Sequence, residues 1–126
     1  TINFDGVQLD GELVEPSAKI VNSERRLMGS IGPSAENVEI AEHIIKVNEE
    51  SVLVNAVLSW TGVADLDFEL VNPEGEVVAS SATLENPEEI SFRPDSAGFY
   101  TVRIKGYISV LTNYTVDVTT SDLVTN

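Results

Sequence analysis

Apolar and polar residues alternate through the middle of this chain. Val52, Val54, Ala56, Leu58 and Trp60 recur at every second position, so an extended strand places them on one face. Leu66, Phe68 and Leu70 repeat the pattern, with Asp65, Asp67 and Glu69 on the opposite face. Between this run and Glu76-Val77-Val78 stands Asn72-Pro73-Glu74-Gly75. Asn at the first position, Pro at the second and Gly at the fourth suit a type I turn. The same period predicts strands over Glu89–Arg93, with Ile90 and Phe92 together, and over Phe99–Tyr107, with Tyr100, Val102 and Ile104 inward. It predicts another over Asn113–Thr119, with Tyr114, Val116 and Val118 inward. Val38–Val47 carries helical as well as strand spacing. The β-branched Ile44, Ile45 and Val47, followed by Asn48-Glu49-Glu50, favour a strand ending in a hairpin turn.

Elsewhere the pattern is weaker. Residues 1–14 predict a short edge strand around Val7, Leu9 and Leu13, interrupted by Gly6 and Gly11. Residues 15–37 are irregular, and Ser17 offers an N-cap for a short helix over Ala18–Met28. About eight strands separated by turn signals every 8–12 residues predict a single all-β domain, an antiparallel β-sandwich. Within it, Asp95-Ser96-Ala97-Gly98-Phe99-Tyr100 places Tyr at a strand start after a turn. This suits a tyrosine corner, in which the phenol bonds back to the backbone upstream. Trp60, Phe68, Phe92 and Tyr100 are expected in the core.

Composition narrows the function classes. The 126 residues include 21 acidic against 7 basic ones, a net charge of −14. Such a surface repels phosphate backbones and anionic lipid, so no nucleic-acid or membrane-surface partner is expected. No apolar run approaches the ~18 residues of a membrane span. Without cysteine there is neither a disulfide framework nor a thiolate metal site. The start at Thr1, without Met, suggests a processed protein or a domain cut from a longer one. The single His43 lies in an Ile-rich strand, with no Gly-x-Ser-x-Gly elbow in the chain. No catalytic residues are assigned; His43 is expected at the surface or rim.

Asp65, Asp67 and Glu69 are the sharpest constellation. Carboxylates two apart on a strand stand about 7 Å from one another, and a hard cation such as Ca2+ would relieve their repulsion. Asp65 and Asp67 are the candidate metal ligands, since the Thr61–Ala64 loop beside them can add carbonyl oxygens; Glu69 is a weaker candidate. The plainer reading is a solvated acidic face with Arg103 or Lys105 as cross-strand partners. Trp60 and Tyr107, at strand ends, are candidates for stacking on sugars, although Trp60 shares its register with the core. Asn113-Tyr114-Thr115 forms a glycosylation sequon at a strand start.

The ordered series Asp65-Leu66-Asp67-Phe68-Glu69-Leu70, Asn72-Pro73-Glu74-Gly75, Val78-Ala79-Ser80-Ser81, Asn86-Pro87-Glu88, Ile90-Ser91-Phe92 and Gly98-Phe99-Tyr100-Thr101-Val102-Arg103-Ile104 closes with Gly106-Tyr107 and Asn113-Tyr114-Thr115-Val116. Over roughly residues 38–119 it resembles the bacterial and archaeal pre-peptidase C-terminal domain, appended to secreted subtilisin-like proteases. The resemblance implies a sandwich of jelly-roll type and a secreted, non-catalytic accessory role, with the protease domain as partner in cis. Such a domain would stabilise its parent or aid binding of a protein or polysaccharide substrate, and would be a monomer. The family's acidic calcium element, Glu-Pro-Asn-Asp, is matched here by Glu15-Pro16-Ser17-Ala18, which keeps Glu15 and lacks the next two ligands. The alternatives are a carbohydrate-binding module and a structural domain of a cell-surface protein.

Overall fold

A computed structural model describes residues 18–35, 39–62, 64–83 and 85–125. Among these the chain is all strand and turn. The strands are β1 (Ala18–Ile31), β2 (Ser34–Ala35), β3 (Ile40–Val47), β4 (Ser51–Trp60), β5 (Asp65–Val71), β6 (Val77–Ser81), β7 (Glu88–Phe92), β8 (Gly98–Ser109) and β9 (Thr112–Thr125). Sheet I has the order β1-β9-β4-β7. In sheet II, β8 lies between β5 and an edge made of β2 and β3, and β6 closes the other side. Every ladder is antiparallel.

The connectivity is that of one long hairpin rolled up. β5 pairs β6, β4 pairs β7, β3 pairs β8 and β1 pairs β9, a nested set whose tip is the turn at residues 72–76. Rolling it places alternate pairs in opposite sheets, which is a jelly roll. The tip has the expected chemistry. Gly75 N donates to the Asn72 carbonyl at 2.9 Å, and the Asn72 Oδ1 accepts from Glu74 N at 3.0 Å and Glu76 N at 2.8 Å. Gly75 takes φ 88°, a left-handed conformation that glycine adopts without the Cβ clash.

The alternating residues supply the core. Val54, Leu58, Leu66, Phe68, Tyr100, Val102, Ile104 and Val116 are all buried, and they come from the inner faces of both sheets. Trp60 is buried too, its Nε1 donating to the Ala64 carbonyl at 3.1 Å. Phe92 is half-buried and packs against this cluster. The Tyr100 hydroxyl donates to the Ser96 carbonyl at 2.8 Å, so the tyrosine corner is present.

Two expectations are corrected. Residues 18–28 are not helical: they begin β1, paired with β9 from Ala18↔Thr125 to Ile31↔Thr112. Backbone pairing along fourteen residues outweighs one N-cap, and the segment has no apolar stripe at helical spacing to bury. The turn at Asn48-Glu49-Glu50 forms, with Ser51 N donating to the Asn48 carbonyl at 3.1 Å. It does not close a hairpin, because β3 enters sheet II and β4 enters sheet I. The edge strand expected in residues 1–14 lies outside the described residues.

Candidate metal centre

The acidic run Asp65-Leu66-Asp67-Phe68-Glu69 divides into two environments. Glu69 is one of the few buried charged residues, and it is neutralised within its own sheet. Arg103 Nη1 and Lys105 Nζ each reach it at 2.8 Å from β8. Arg103 is shared with Glu42 on β3, its Nε 3.0 Å from Glu42 Oε2. The solvated face with cross-strand basic partners is therefore realised at Glu69 as an ion-pair ladder, with the acid nearly covered. Glu69 joins no metal cluster among the described residues.

Asp65 and Asp67 have a different neighbour. β6 pairs with β5 only from Phe68↔Ser81 onward, so the first residues of β5 lack a β6 partner. The β6–β7 connection brings Glu88 to this side. Asn86 fixes that crossover to the end of β4, donating its Nδ2 to the Trp60 carbonyl at 2.8 Å and accepting from Trp60 N at 3.3 Å. It delivers Glu88, the first residue of β7. One carboxylate oxygen from each of Asp65, Asp67 and Glu88 lies within 4.8 Å of the other two.

Glu88 is 2% exposed. Its Oε2 accepts from Thr83 N at 3.1 Å and from Thr83 Oγ1 at 3.3 Å. Its Oε1 has no hydrogen-bond partner, and neither does the buried Oδ1 of Asp65. The Ser81 hydroxyl stands near the Glu88 carboxylate without closing a hydrogen bond onto Oε1. Burial, then the charge of Asp65, holds the Asp67 carboxyl above the usual carboxylate range, with Lys105 opposing. Burial also raises Glu88, helped by the Asp67 charge and offset in part by Ser81 and Thr83. The sign follows by linkage. With the folded values raised above 3.8 and 4.5, the folded state holds protons that the unfolded chain has released. Stability then falls as pH rises from the unfolded values to the folded ones, and the full cost is present above the folded values.

A cavity of about 190 Å3 opens beside Asp67, lined by Glu69, Ser80, Ser81, Ala82 and Lys105 among others. At roughly 30 Å3 per water it accommodates an ion's hydration shell, while small-molecule pockets run to about 300 Å3 and above. A larger depression of about 550 Å3, over Met28, Ser59, Trp60, Asn113 and Thr115, is lined by no acidic, basic or imidazole side chain, and its one titratable group is the Tyr114 phenol.

The sequence reading found Asp65 and Asp67 and missed Glu88. A signal was available. A strand starting at Glu89 leaves Glu88 outside it, yet stepping back by two from the inward Phe92 and Ile90 lands on it. An acid in register with core residues is a buried charge that needs a partner.

His43 sits at the rim on the opposite edge, half-buried. Its Nε2 is 2.7 Å from the Tyr114 hydroxyl, with the donor set by the tautomer, and the rings meet edge to face at 5.7 Å. Burial and the nearby Arg25 hold its pKa below the ordinary value. Asn113 is exposed, its Oδ1 accepting from Ser30 Oγ at 2.6 Å. Tyr107 is exposed and Trp60 is not.

No family model and no curated protein matches the chain. Its fold is similar to those of solved structures. The Yersinia pseudotuberculosis-derived mitogen aligns with TM-score 0.55 and 21% identity, over 78% of this chain and 86% of that one. A protein from the Bacillus endospore appendages, described as a family of disulfide-linked pili, aligns with TM-score 0.55 and 14% identity, over 91% and 97%. At such identities the likeness is one of fold alone. No helix among the described residues is long and apolar enough to cross a membrane.

Proposed function

We propose that this chain is a non-catalytic accessory module of a secreted protein, with a subtilisin-like protease as the parent that the sequence resemblance suggests. Its work would be to stabilise or position that parent. One observation carries the reading: of the acids with raised pKa values, Asp67 borders a cavity of about 190 Å3, below the size of small-molecule pockets, and Glu88 is almost fully buried. General acid–base work needs such a group within hydrogen-bond reach of a bound substrate. The depression of 550 Å3 that has room offers only hydroxyl, amide, thioether and aromatic groups. At two other depressions Arg26 and Asp117 pair with each other, and Glu24, Glu49 and Asp95 are exposed.

Carbohydrate binding is the weaker reading, because the indole best suited to stack on a sugar is turned into the core. Tyr107 remains as an exposed aromatic. The coding sequence on either side of this chain tests the proposal, together with a glycan array. A subtilisin-like catalytic domain alongside and a blank array are expected. An adjoining glycosidase, with glycan binding lost in Tyr107→Ala, would overturn it in favour of a carbohydrate-binding module.

A further inference from the structure

We propose that Asp65, Asp67 and Glu88 together bind one calcium ion, which fastens β5 of sheet II to β7 of sheet I. Three carboxylates close together are not enough to make a site. The independent observation is Glu88 itself, whose side chain is almost completely buried while its Oε1 meets no donor. Asp65 Oδ1, in the same cluster, is likewise buried and unpartnered. A buried carboxylate oxygen without a donor is costly, and native structures keep one only where something supplies the missing charge.

The nearby basic groups are engaged elsewhere. Lys105 stands opposite Asp67 in register, but its ammonium lies 2.8 Å from Glu69. Arg103 divides its guanidinium between Glu42 and Glu69. The remaining neutraliser is a cation from solution. The donor set is all oxygen, which selects a hard ion over zinc, copper or nickel. Ligand number then favours calcium, because magnesium keeps most of its waters and takes one or two carboxylates where three converge here. Oxygens on opposite sides of calcium, at 2.3–2.6 Å each, are about 4.8 Å apart, against about 4.1 Å for magnesium. The three ligand atoms here all lie within 4.8 Å of one another, inside the span of a calcium shell. Three carboxylates supply up to six oxygens, and the cavity beside Asp67 has room for waters to complete a coordination number of six to eight.

The position suits a clasp. Glu88 is held by Thr83 from the crossover, which Asn86 ties to Trp60. An ion on Glu88 and the two aspartates would join the two sheets through side chains where backbone ladders do not connect them. The inference shares with the module reading only the view that these acids are structural. An ion titration tests the one, and the adjoining sequence and glycan array test the other.

The test is calorimetric titration of the chelator-treated 126-residue chain with calcium chloride at pH 7, with thermal melts in calcium, in chelator and in magnesium at matched ionic strength. One ion per chain is expected, with a rise in Tm by linkage. Magnesium should bind at least tenfold more weakly. Glu88→Gln keeps the shape and removes the charge, and should weaken calcium at least tenfold. Asp67→Asn should do the same, and serves if the buried change prevents folding. Glu74→Gln, at the exposed tip turn, should leave the affinity unchanged. Coincident melts with no binding heat would overturn the proposal. Equal affinity for magnesium would overturn the choice of calcium. Unaltered calcium affinity in both site variants would overturn the choice of residues.

Discussion

At the scale of single residues, two contacts have predictable worth. The Tyr100 hydroxyl closes the corner onto Ser96 from a fully buried ring. Tyr100→Phe keeps the ring and leaves the Ser96 carbonyl to find water, so a loss of about 1 kcal/mol is expected. Urea denaturation at unchanged m-value measures it. Gly29 is the second. A Cβ built there would fall on the Tyr114 hydroxyl and within 2.7 Å of its ring Cζ. Tyr114 is buried and held by His43, so it cannot swing clear without breaking that bond. Gly29→Ala should destabilise by about 1–3 kcal/mol through overpacking, read in the same denaturation experiment. The corner was legible in the sequence because a turn followed by Tyr is a local signal. The need for glycine at position 29 was not, since its cause is a side chain 85 residues along the chain.

At the scale of elements, the turn at residues 72–76 and the seam between β1 and β3 respond to different variables. The turn depends on Gly75 at φ 88° with open space around its Cα, so Gly75→Ala costs backbone strain alone, about 1 kcal/mol. Gly75→Asn should recover part of it, and a chemical denaturation series would rank the three. The seam depends on pH. His43 on β3 faces Tyr114 from β9 and the cationic Arg25 from β1, whose Nη1 also donates to the Ile44 carbonyl at 3.2 Å. With its folded pKa below 6.5, the unfolded chain takes up the proton first. The stabilisation is therefore complete above about pH 6.5 and is lost as pH falls from there to the folded value. Melting temperatures between pH 7.5 and 5 should show this slope, and His43→Phe should flatten it. Strand positions were readable from period-two alternation. Which strands pair was not, as the Asn48–Glu50 turn shows: its hydrogen bond forms whether the next strand folds back or crosses to the other sheet.

At the scale of the molecule, alternation in β4, β5, β8 and β9 was enough to indicate a two-layer antiparallel fold, because half-buried strands need a second layer to cover them. It could not place Glu88 beside Asp65 and Asp67. That juxtaposition depends on a crossover passing the uncovered start of β5, a property of the assembled sheets. The rolled hairpin also bears on how the chain reaches this state. Its nested pairs close loops of growing length: 4 residues apart at Asn72 and Glu76, 36 at Asn55 and Ser91, 61 at Glu42 and Arg103, 99 at Asn22 and Ser121. Each doubling adds about 0.6 kcal/mol of closure entropy, so the inexpensive order runs outward from the tip, and the dominance of distant pairings makes folding slow. The two longest strands, β1 and β9, would zip together last. Substitutions along Asn22–Arg26 should accordingly accelerate unfolding and leave the folding rate nearly untouched, whereas Gly75→Ala should slow folding itself. Stopped-flow chevrons of the two classes would show the effects on opposite limbs.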